Sequence, residues 1–219
     1  MKERPIIFSG EMVRAILDGR KTQTRRIVKP QPPAVTDGRW SWVASSSDKS
    51  EVGKFRYSWP NETGTSFTAH GRESGVSIRC PYGETGDRLW VREAWALFEH
   101  STGVVYRADA GDDGLVPYLD NGAGGLGGGV CDYAPDRWKP SIHMPRWASR
   151  ITLEIKGVRV ERLQDIGESD AEAEGFHREG CGGEGSVRTF ARLWESLYGT
   201  DSWSVNPWVW VIEFERVEE

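Results

Sequence analysis

Lys21 and Thr24 lie close together in the segment Arg20-Lys21-Thr22-Gln23-Thr24-Arg25-Arg26, and both carry groups that can do chemistry. A threonine hydroxyl is a weak nucleophile until a base removes its proton. A lysine serves as that base only when burial or a neighbouring cation lowers its pKa from about 10.4. The arginines of this segment supply such cations. A carboxylate such as Glu174 would then relay the proton or donate it to a leaving group.

The geometry of this segment depends on its secondary structure. In a last helical coil, Lys21 and Thr24 share one face. In a strand, Thr22 and Thr24 share a face, while Lys21, Gln23 and Arg25 take the other. Both arrangements are open at this point.

A binding role explains the same residues without catalysis. The basic segment is then a solvated strand face that contacts RNA phosphates. Glu174 is then a surface carboxylate on a helix, like its neighbours Asp170 and Glu172, which we expect to be solvated.

The elements around these residues can be predicted from periodicity. Residues 10–19 predict a helix with Met12, Ala15 and Ile16 on one face and Gly19 as its end, followed by an extended segment. Residues 163–176 predict a turn and a short acidic helix that ends at Gly175, and residues 189–197 an amphipathic helix. Strands are predicted over residues 88–95, 104–109, 151–160 (two pieces, or one with a bulge) and 208–214.

These elements have no βαβ rhythm, which favours an α+β fold with a small β-barrel of about six strands, flanked by short helices. We expect a single domain over residues 1–219 that carries two long irregular inserts, at 30–83 and 99–142. The glycine-rich stretch at 122–129 lacks the lysine and the strand–turn–helix frame of a phosphate-binding loop, and we interpret it as a mobile surface loop.

Three sequence pieces together resemble one family. They are ILDGRKTQTRR at residues 16–26, Gly86-Asp87 followed by Leu89-Trp90-Val91, and Leu163 to Phe176 with its ending AEAEGF. In type, order and spacing they are similar to the ASCH domains, a branch of the PUA-like barrels. The resemblance covers roughly residues 1–29, 84–98 and 145–217, and the tryptophan-rich, insert-bearing form resembles versions carried by bacteriophages and prophages.

The resemblance implies roles for particular residues. ASCH proteins similar to this chain include small bacterial amidohydrolases that remove the acetyl group from acetylated cytidine. Their triad would correspond here to Thr24 as nucleophile, Lys21 as its base or oxyanion partner, and Glu174 as acid/base, and no cofactor is implied. Arg20 or Arg26 would hold a polar edge or a phosphate of the substrate. The PUA-like alternatives are a non-catalytic RNA-binding module and a ribonuclease.

The distribution of charge along the chain indicates which kinds of partner it could bind. The 219 residues carry a net charge of −5, yet residues 1–30 hold eight Lys/Arg against three Asp/Glu. A local basic patch on an acidic body fits a small anionic ligand or a short stretch of nucleic acid better than a long duplex. The family resemblance implies that this partner is a modified nucleoside or RNA. We expect no membrane association and no obligate protein partner.

The cysteines and the start of the chain suggest a compartment. The chain has three cysteines, Cys80, Cys131 and Cys181, without a CxxC pair. Neither a disulfide framework nor a zinc site with His143 or His177 is indicated by such spacing, so we expect no metal. A start without a signal-peptide pattern adds to the expectation of a cytoplasmic protein.

Overall fold

The structure is a computed structural model, and it describes residues 1–31, 39–42, 53–58, 75–97, 103–119, 130–176 and 185–217. Three α-helices lie in these ranges: α1 Gly10–Leu17, α2 Glu168–Ala173 and α3 Ser186–Tyr198. The strands are β1 Glu3–Ile7, β2 Gln23–Ile27, β3 Arg39–Trp42, β4 Phe55–Ser58, β5 Gly75–Ile78, β6 Arg88–Arg92, β7 Trp95–Leu97, β8 Val104–Tyr106, β9 Val116–Leu119, β10 Val130–Tyr133, β11 Thr152–Arg162 and β12 Trp208–Val217.

The main sheet has five strands in the order β1-β6-β11-β12-β2. Strands β1 and β6 are parallel, and the other three pairs are antiparallel. Strand β11 is one strand whose register shifts between Ile155 and Gly157, so the bulged alternative is correct there. Its apolar side chains, with those of β6 and β12, form the main core around Leu89, Leu153 and Trp210.

The α+β class is confirmed, but the main sheet is not a closed barrel. No strand ladder joins β1 to β2 within the described residues. The two edges are linked by a side chain instead, because Nη2 of Arg26 donates to the carbonyl oxygen of Ile7 at 2.8 Å. Pro5 in β1 has no amide hydrogen to donate, which is typical of an edge strand.

Helix α1 follows the sequence prediction closely. The Ser9 hydroxyl accepts from the amide of Met12 at 3.4 Å, which caps the first turn. Val13, Ala15 and Ile16 are buried against the core. The helix ends before Gly19, whose φ of +72° is in the left-handed region that favours glycine.

The two segments predicted as irregular inserts form strands where the structure describes them. Strands β3, β4 and β5 make an antiparallel sheet inside residues 30–83, and β9 pairs with β10 inside 99–142. Residues 122–129, predicted as a mobile loop, lie outside the described residues. In the described ranges, no helix is both long enough and apolar enough to cross a membrane.

Candidate functional site

The segment that leaves α1 is fixed against the end of α2. The amides of Arg20 and Lys21 both donate to the carbonyl oxygen of Ala15, at 2.8 and 2.9 Å. One residue later, the amide of Thr22 donates to the carbonyl oxygen of Ala173 at 2.8 Å. The backbone therefore places Lys21 opposite the residue that follows α2, which is Glu174.

Lys21 and Glu174 form a buried ion pair. The Lys21 ammonium donates to Oε2 of Glu174 at 2.6 Å and to the carbonyl oxygen of the same residue at 2.9 Å. The two side chains are 0% and 3% exposed. Burial is the main cause that lowers the pKa of Lys21, Glu174 opposes it, and the nearby Arg26 and Arg25 lower it further. The prediction of Glu174 as a surface carboxylate is wrong.

Thr24 lies beside this pair but is not bonded to it. It is buried in β2 opposite Ile212 of β12. Among the described residues, no hydrogen bond joins its hydroxyl to Lys21 or Glu174. Thr24 and Glu174 do line the same cavity, of about 10 Å³, which is roughly the room that one water molecule needs. The other walls come from α1, β2 and α3, through Met12, Arg25, Arg26, Phe190, Leu193, Trp194, Leu197 and Tyr198.

The strand alternative for the basic segment is correct, and it gives β2 two chemically different faces. Lys21, Gln23 and Arg25 all contact residues of α2 or its end. The side chains of Thr24 and Arg26 point to the opposite face of the strand. The predicted solvated basic face does not form, because Lys21 and Arg25 are wholly buried among carboxylates.

Sequence reasoning missed the partners of Arg25. Its Nη2 donates to Oε1 of Glu161 at 2.6 Å and lies 3.3 Å from Oδ2 of Asp170. Its Nη1 lies 3.5 Å from Oε1 of Glu174. Asp170, which we expected to be solvated, is half-buried and also accepts from Gln23 at 3.1 Å. The local sequence gives no signal for this cluster, because every residue from 20 to 26 is polar.

The two arginines predicted to hold the substrate are placed differently. Arg20 is exposed, pairs with Asp18 at 2.7 Å, and donates to the carbonyl oxygen of Gly175 at 3.2 Å. Arg26 lies with its guanidinium 5.3 Å from the centre of the Phe8 ring and bonds to β1 as described above. Arg20 lines open space next to Glu174. Arg26 instead links the two edge strands of the main sheet, through its hydrogen bond to Ile7.

A cleft of about 400 Å³ opens beside the ion pair. Its walls are the outer face of α1 and the residues that follow α2, and Glu174 reaches it together with Arg14 and Arg20. Met12, Glu174 and Leu193 line both this cleft and the small cavity at Thr24. The ion pair therefore lies between a space large enough for a small organic molecule and the Thr24 side chain.

Metal ligation has no support in the described part of the chain. No group of three or more His, Cys, Asp or Glu side chains suitable for a metal ion is found there. Cys80 is a free thiol, and burial raises its pKa to about 11. Of the other residues considered for zinc, Cys181 and His177 lie outside the described residues, as does the side chain of Cys131.

Comparison of the chain with models of protein families, with curated proteins and with solved structures gave no match. What this chain does is therefore inferred from its own residues.

Proposed function

We propose that this chain is a PUA-like protein of the ASCH kind and that it hydrolyses an N-acylated, in particular acetylated, cytidine nucleoside or nucleotide. The observation that carries the proposal is the buried pair of Lys21 and Glu174 beside Thr24, at the wall of a cleft. The positions of the three sequence pieces in the fold also support the proposal. Lys21 and Thr24 follow α1, Gly86-Asp87 precedes β6, and Glu174 follows α2.

The reaction is an acyl transfer in two steps. Thr24 is buried and its hydroxyl is not bonded to Lys21, so the first step requires the site to open to the substrate and to bring the two groups together. The Thr24 hydroxyl then attacks the acyl carbonyl carbon, and its proton goes to Lys21 when that amine is neutral. The carbonyl oxygen becomes an oxyanion in the tetrahedral intermediate, and nearby cations stabilise it. The C–N bond then breaks, and the cytosine amine leaves with a proton that Glu174 relays from Lys21. Water next hydrolyses the threonine ester, which releases the carboxylic acid and restores the hydroxyl.

The electrostatics of the site suit the proton transfers. A lysine on the surface is almost wholly protonated at neutral pH and is a poor base. Burial pushes the pKa of Lys21 down, towards the range in which it exchanges a proton. Because Nζ of Lys21 and Oε2 of Glu174 are in direct contact, the geometry allows a proton to pass between them.

RNA binding alone is the weaker alternative for this segment. A phosphate-binding face needs cationic side chains that reach the solvent. The side chains of Lys21 and Arg25 have no exposed area, and each is bonded to carboxylates.

Hydrolysis of acetylated cytidine and related N-acyl cytidines, followed by chromatography, tests the proposal. We expect turnover by the wild type and a loss of at least 100-fold in Thr24→Ala, because the nucleophile is removed. Thr22→Ala is the matched control: Thr22 is exposed in the same segment, so its loss leaves turnover unchanged. No turnover by the wild type across the panel, or full activity in Thr24→Ala, would refute the proposed reaction. Cleavage of polyribonucleotides that is lost in Lys21→Ala would favour the ribonuclease instead.

A further inference from the structure

Arg25 occupies an unusual position for a cation. Its side chain has no exposed area, and three carboxylates surround it, those of Glu161, Asp170 and Glu174. The first belongs to β11, the second to α2 and the third to the residue after α2. The same guanidinium lies 5.9 Å from the centre of the Phe190 ring of α3. Arg25 therefore connects the Lys21–Glu174 pair to the sheet and to both neighbouring helices.

Stability of the fold does not explain this arrangement. Buried ion pairs are often replaceable by apolar side chains with no loss of stability. Arg25 also leaves its Nε buried without a hydrogen-bond acceptor in the described structure, which destabilises the fold. Its partners do not depend on it for their charge, because Arg159 contacts both Glu161 and Asp170 at 3.1 Å from the solvent side.

The division of the Glu174 carboxylate points to a role. Its Oε1 faces Arg25, at 3.5 Å, and its Oε2 accepts from Lys21, at 2.6 Å. We propose that Arg25 is a positioning residue, which holds Oε1 of Glu174 so that Oε2 stays directed at Lys21. Glu161 and Asp170 in turn hold Arg25 and limit its pull on Glu174. This inference rests on the proposed function for its meaning, but the geometry it describes can be tested without substrate.

The arrangement should also control the protonation of Lys21. The charged groups that face Lys21 are Glu174, from the end of α2, and Arg25 and Arg26, from β2. After burial and Glu174, the two arginines are the remaining influences, and both lower the pKa of Lys21. Removing Arg25 deletes a positive charge near Lys21. It also leaves Lys21 as the cation that interacts with the Glu174 carboxylate. Each effect raises the pKa of Lys21.

The test is an NMR titration of Lys21 in the full chain, labelled with ¹³C at the lysine side chains and assigned with Lys21→Arg. We expect the titration midpoint of Lys21 to move to higher pH in Arg25→Gln. In Glu161→Gln it should move to lower pH, because Arg25 loses its closest partner and pulls more strongly on Glu174. Arg25→Lys keeps the positive charge but lacks the planar guanidinium with its several donors. The titration midpoint of Lys21 in this variant should therefore lie between those in the wild type and in Arg25→Gln. Arg150→Gln removes a partly exposed arginine that is paired with Glu93 and Asp109, and should leave the titration midpoint of Lys21 unchanged.

The two substitutions with opposite expected directions make the inference refutable. An unchanged midpoint in both Arg25→Gln and Glu161→Gln, or a shift of both in one direction, would overturn it. A midpoint in Arg25→Lys equal to that of the wild type would show that charge alone is enough, which also overturns a positioning role. If Arg25→Gln does not fold, Glu161→Gln and Arg25→Lys decide the question.

Activity gives a separate readout. With a substrate that the wild type hydrolyses, Arg25→Lys should lower kcat about tenfold with little change in KM, because only the alignment of the pair is lost. Failure of the wild type to hydrolyse any N-acyl cytidine would refute the proposed function. The NMR titration would still decide whether Arg25 positions Glu174.

Discussion

At the scale of single residues, the charges of Lys21 and Glu174 depend on each other because neither side chain reaches the solvent. The ammonium has two acceptors, and both belong to Glu174, through its carboxylate and its carbonyl oxygen. Removal of Glu174 therefore leaves the Lys21 ammonium buried without its carboxylate partner, which is far more costly than the loss of a surface ion pair.

Glu174→Gln tests this dependence through stability. The amide keeps the shape of the side chain but not its charge, so we expect a loss of about 3–5 kcal/mol in the free energy of unfolding at pH 7. Without Glu174 the pKa of Lys21 falls further below its unfolded value. The unfolded state then binds more protons than the folded state up to about pH 10.4, so stability rises with pH and part of the loss is recovered.

Urea denaturation between pH 7 and pH 10 measures this effect, with the wild type followed over the same range. Glu172→Gln is the matched control, since Glu172 is exposed in the last turn of α2, two residues before Glu174, and its loss should change stability by less than about 0.5 kcal/mol. A pH-independent loss in Glu174→Gln would mean that Lys21 does not carry the buried charge.

The residue pattern predicts part of this site and not the rest. Lys21 and Thr24 lie in one short segment, so their types and spacing can be read locally. The partners of Arg25 cannot, because Glu161 and Glu174 are 136 and 149 residues away in sequence. Whether Arg25 is solvated or buried depends on how β11 and α2 pack on β2. This packing cannot be predicted from the residues around Arg25 alone.

At the scale of elements, the site depends on how closely two chain segments approach after α1 and α2. Gly175 has a φ of +100°, and a Cβ added to it would lie 3.1 Å from Cβ of Ala15 and 3.4 Å from Cβ of Lys21. Gly19 also has a positive φ, but a Cβ there would meet no atom within 4 Å. Substitution of either glycine therefore strains the backbone, but only at Gly175 does the added Cβ also crowd neighbouring side chains.

This pair allows a controlled prediction. Gly19→Ala should lower the free energy of unfolding by about 1 kcal/mol, from backbone strain alone, and leave hydrolysis of the acyl cytidine unchanged. Gly175→Ala should cost more stability and lower hydrolysis roughly tenfold, because the added methyl group displaces Lys21. Urea denaturation and the chromatographic assay measure both. Equal effects of the two substitutions would contradict a close approach at Lys21.

Elements with strong periodicity were predictable, whereas their pairing was not. The amphipathic pattern of α1 and α3, the alternation in β11 and the apolar run of β12 are properties of one segment each. Strand β1 is short, begins with charged residues and contains Pro5, so its sequence gives no strand signal. The open sheet results from the failure of β1 and β2 to pair, and this depends on both edges at once.

At the scale of the whole molecule, described residues of the segment 30–83 contribute to the main core. Phe55 of β4 is 8% exposed and packs edge-on against Trp210 of β12, with ring centres 5.3 Å apart. Ile78, Cys80 and Tyr82, from the end of the same segment, pack against that core as well. An insert that merely decorated the surface would share no buried contacts with the sheet.

The prediction of a single domain can be tested through these contacts. If the segment and the sheet share one core, they unfold together, and Phe55→Ala lowers the stability of both by about 3 kcal/mol. Phe55→Leu, which keeps most of the apolar volume, should cost about 1 kcal/mol.

Two probes follow the two parts in urea: far-UV circular dichroism reports the sheet, and alkylation reports Cys80, in a chain whose Cys131 and Cys181 are replaced by serine. The pKa of Cys80 of about 11 keeps the folded thiol slow to react, so its alkylation marks unfolding of the segment. We expect the two transitions to coincide, and Phe55→Ala to move both to lower urea by the same amount. Reaction of Cys80 at a urea concentration where the circular dichroism is still native would show that residues 30–83 unfold independently, and that Phe55 covers the sheet without being part of one cooperative core.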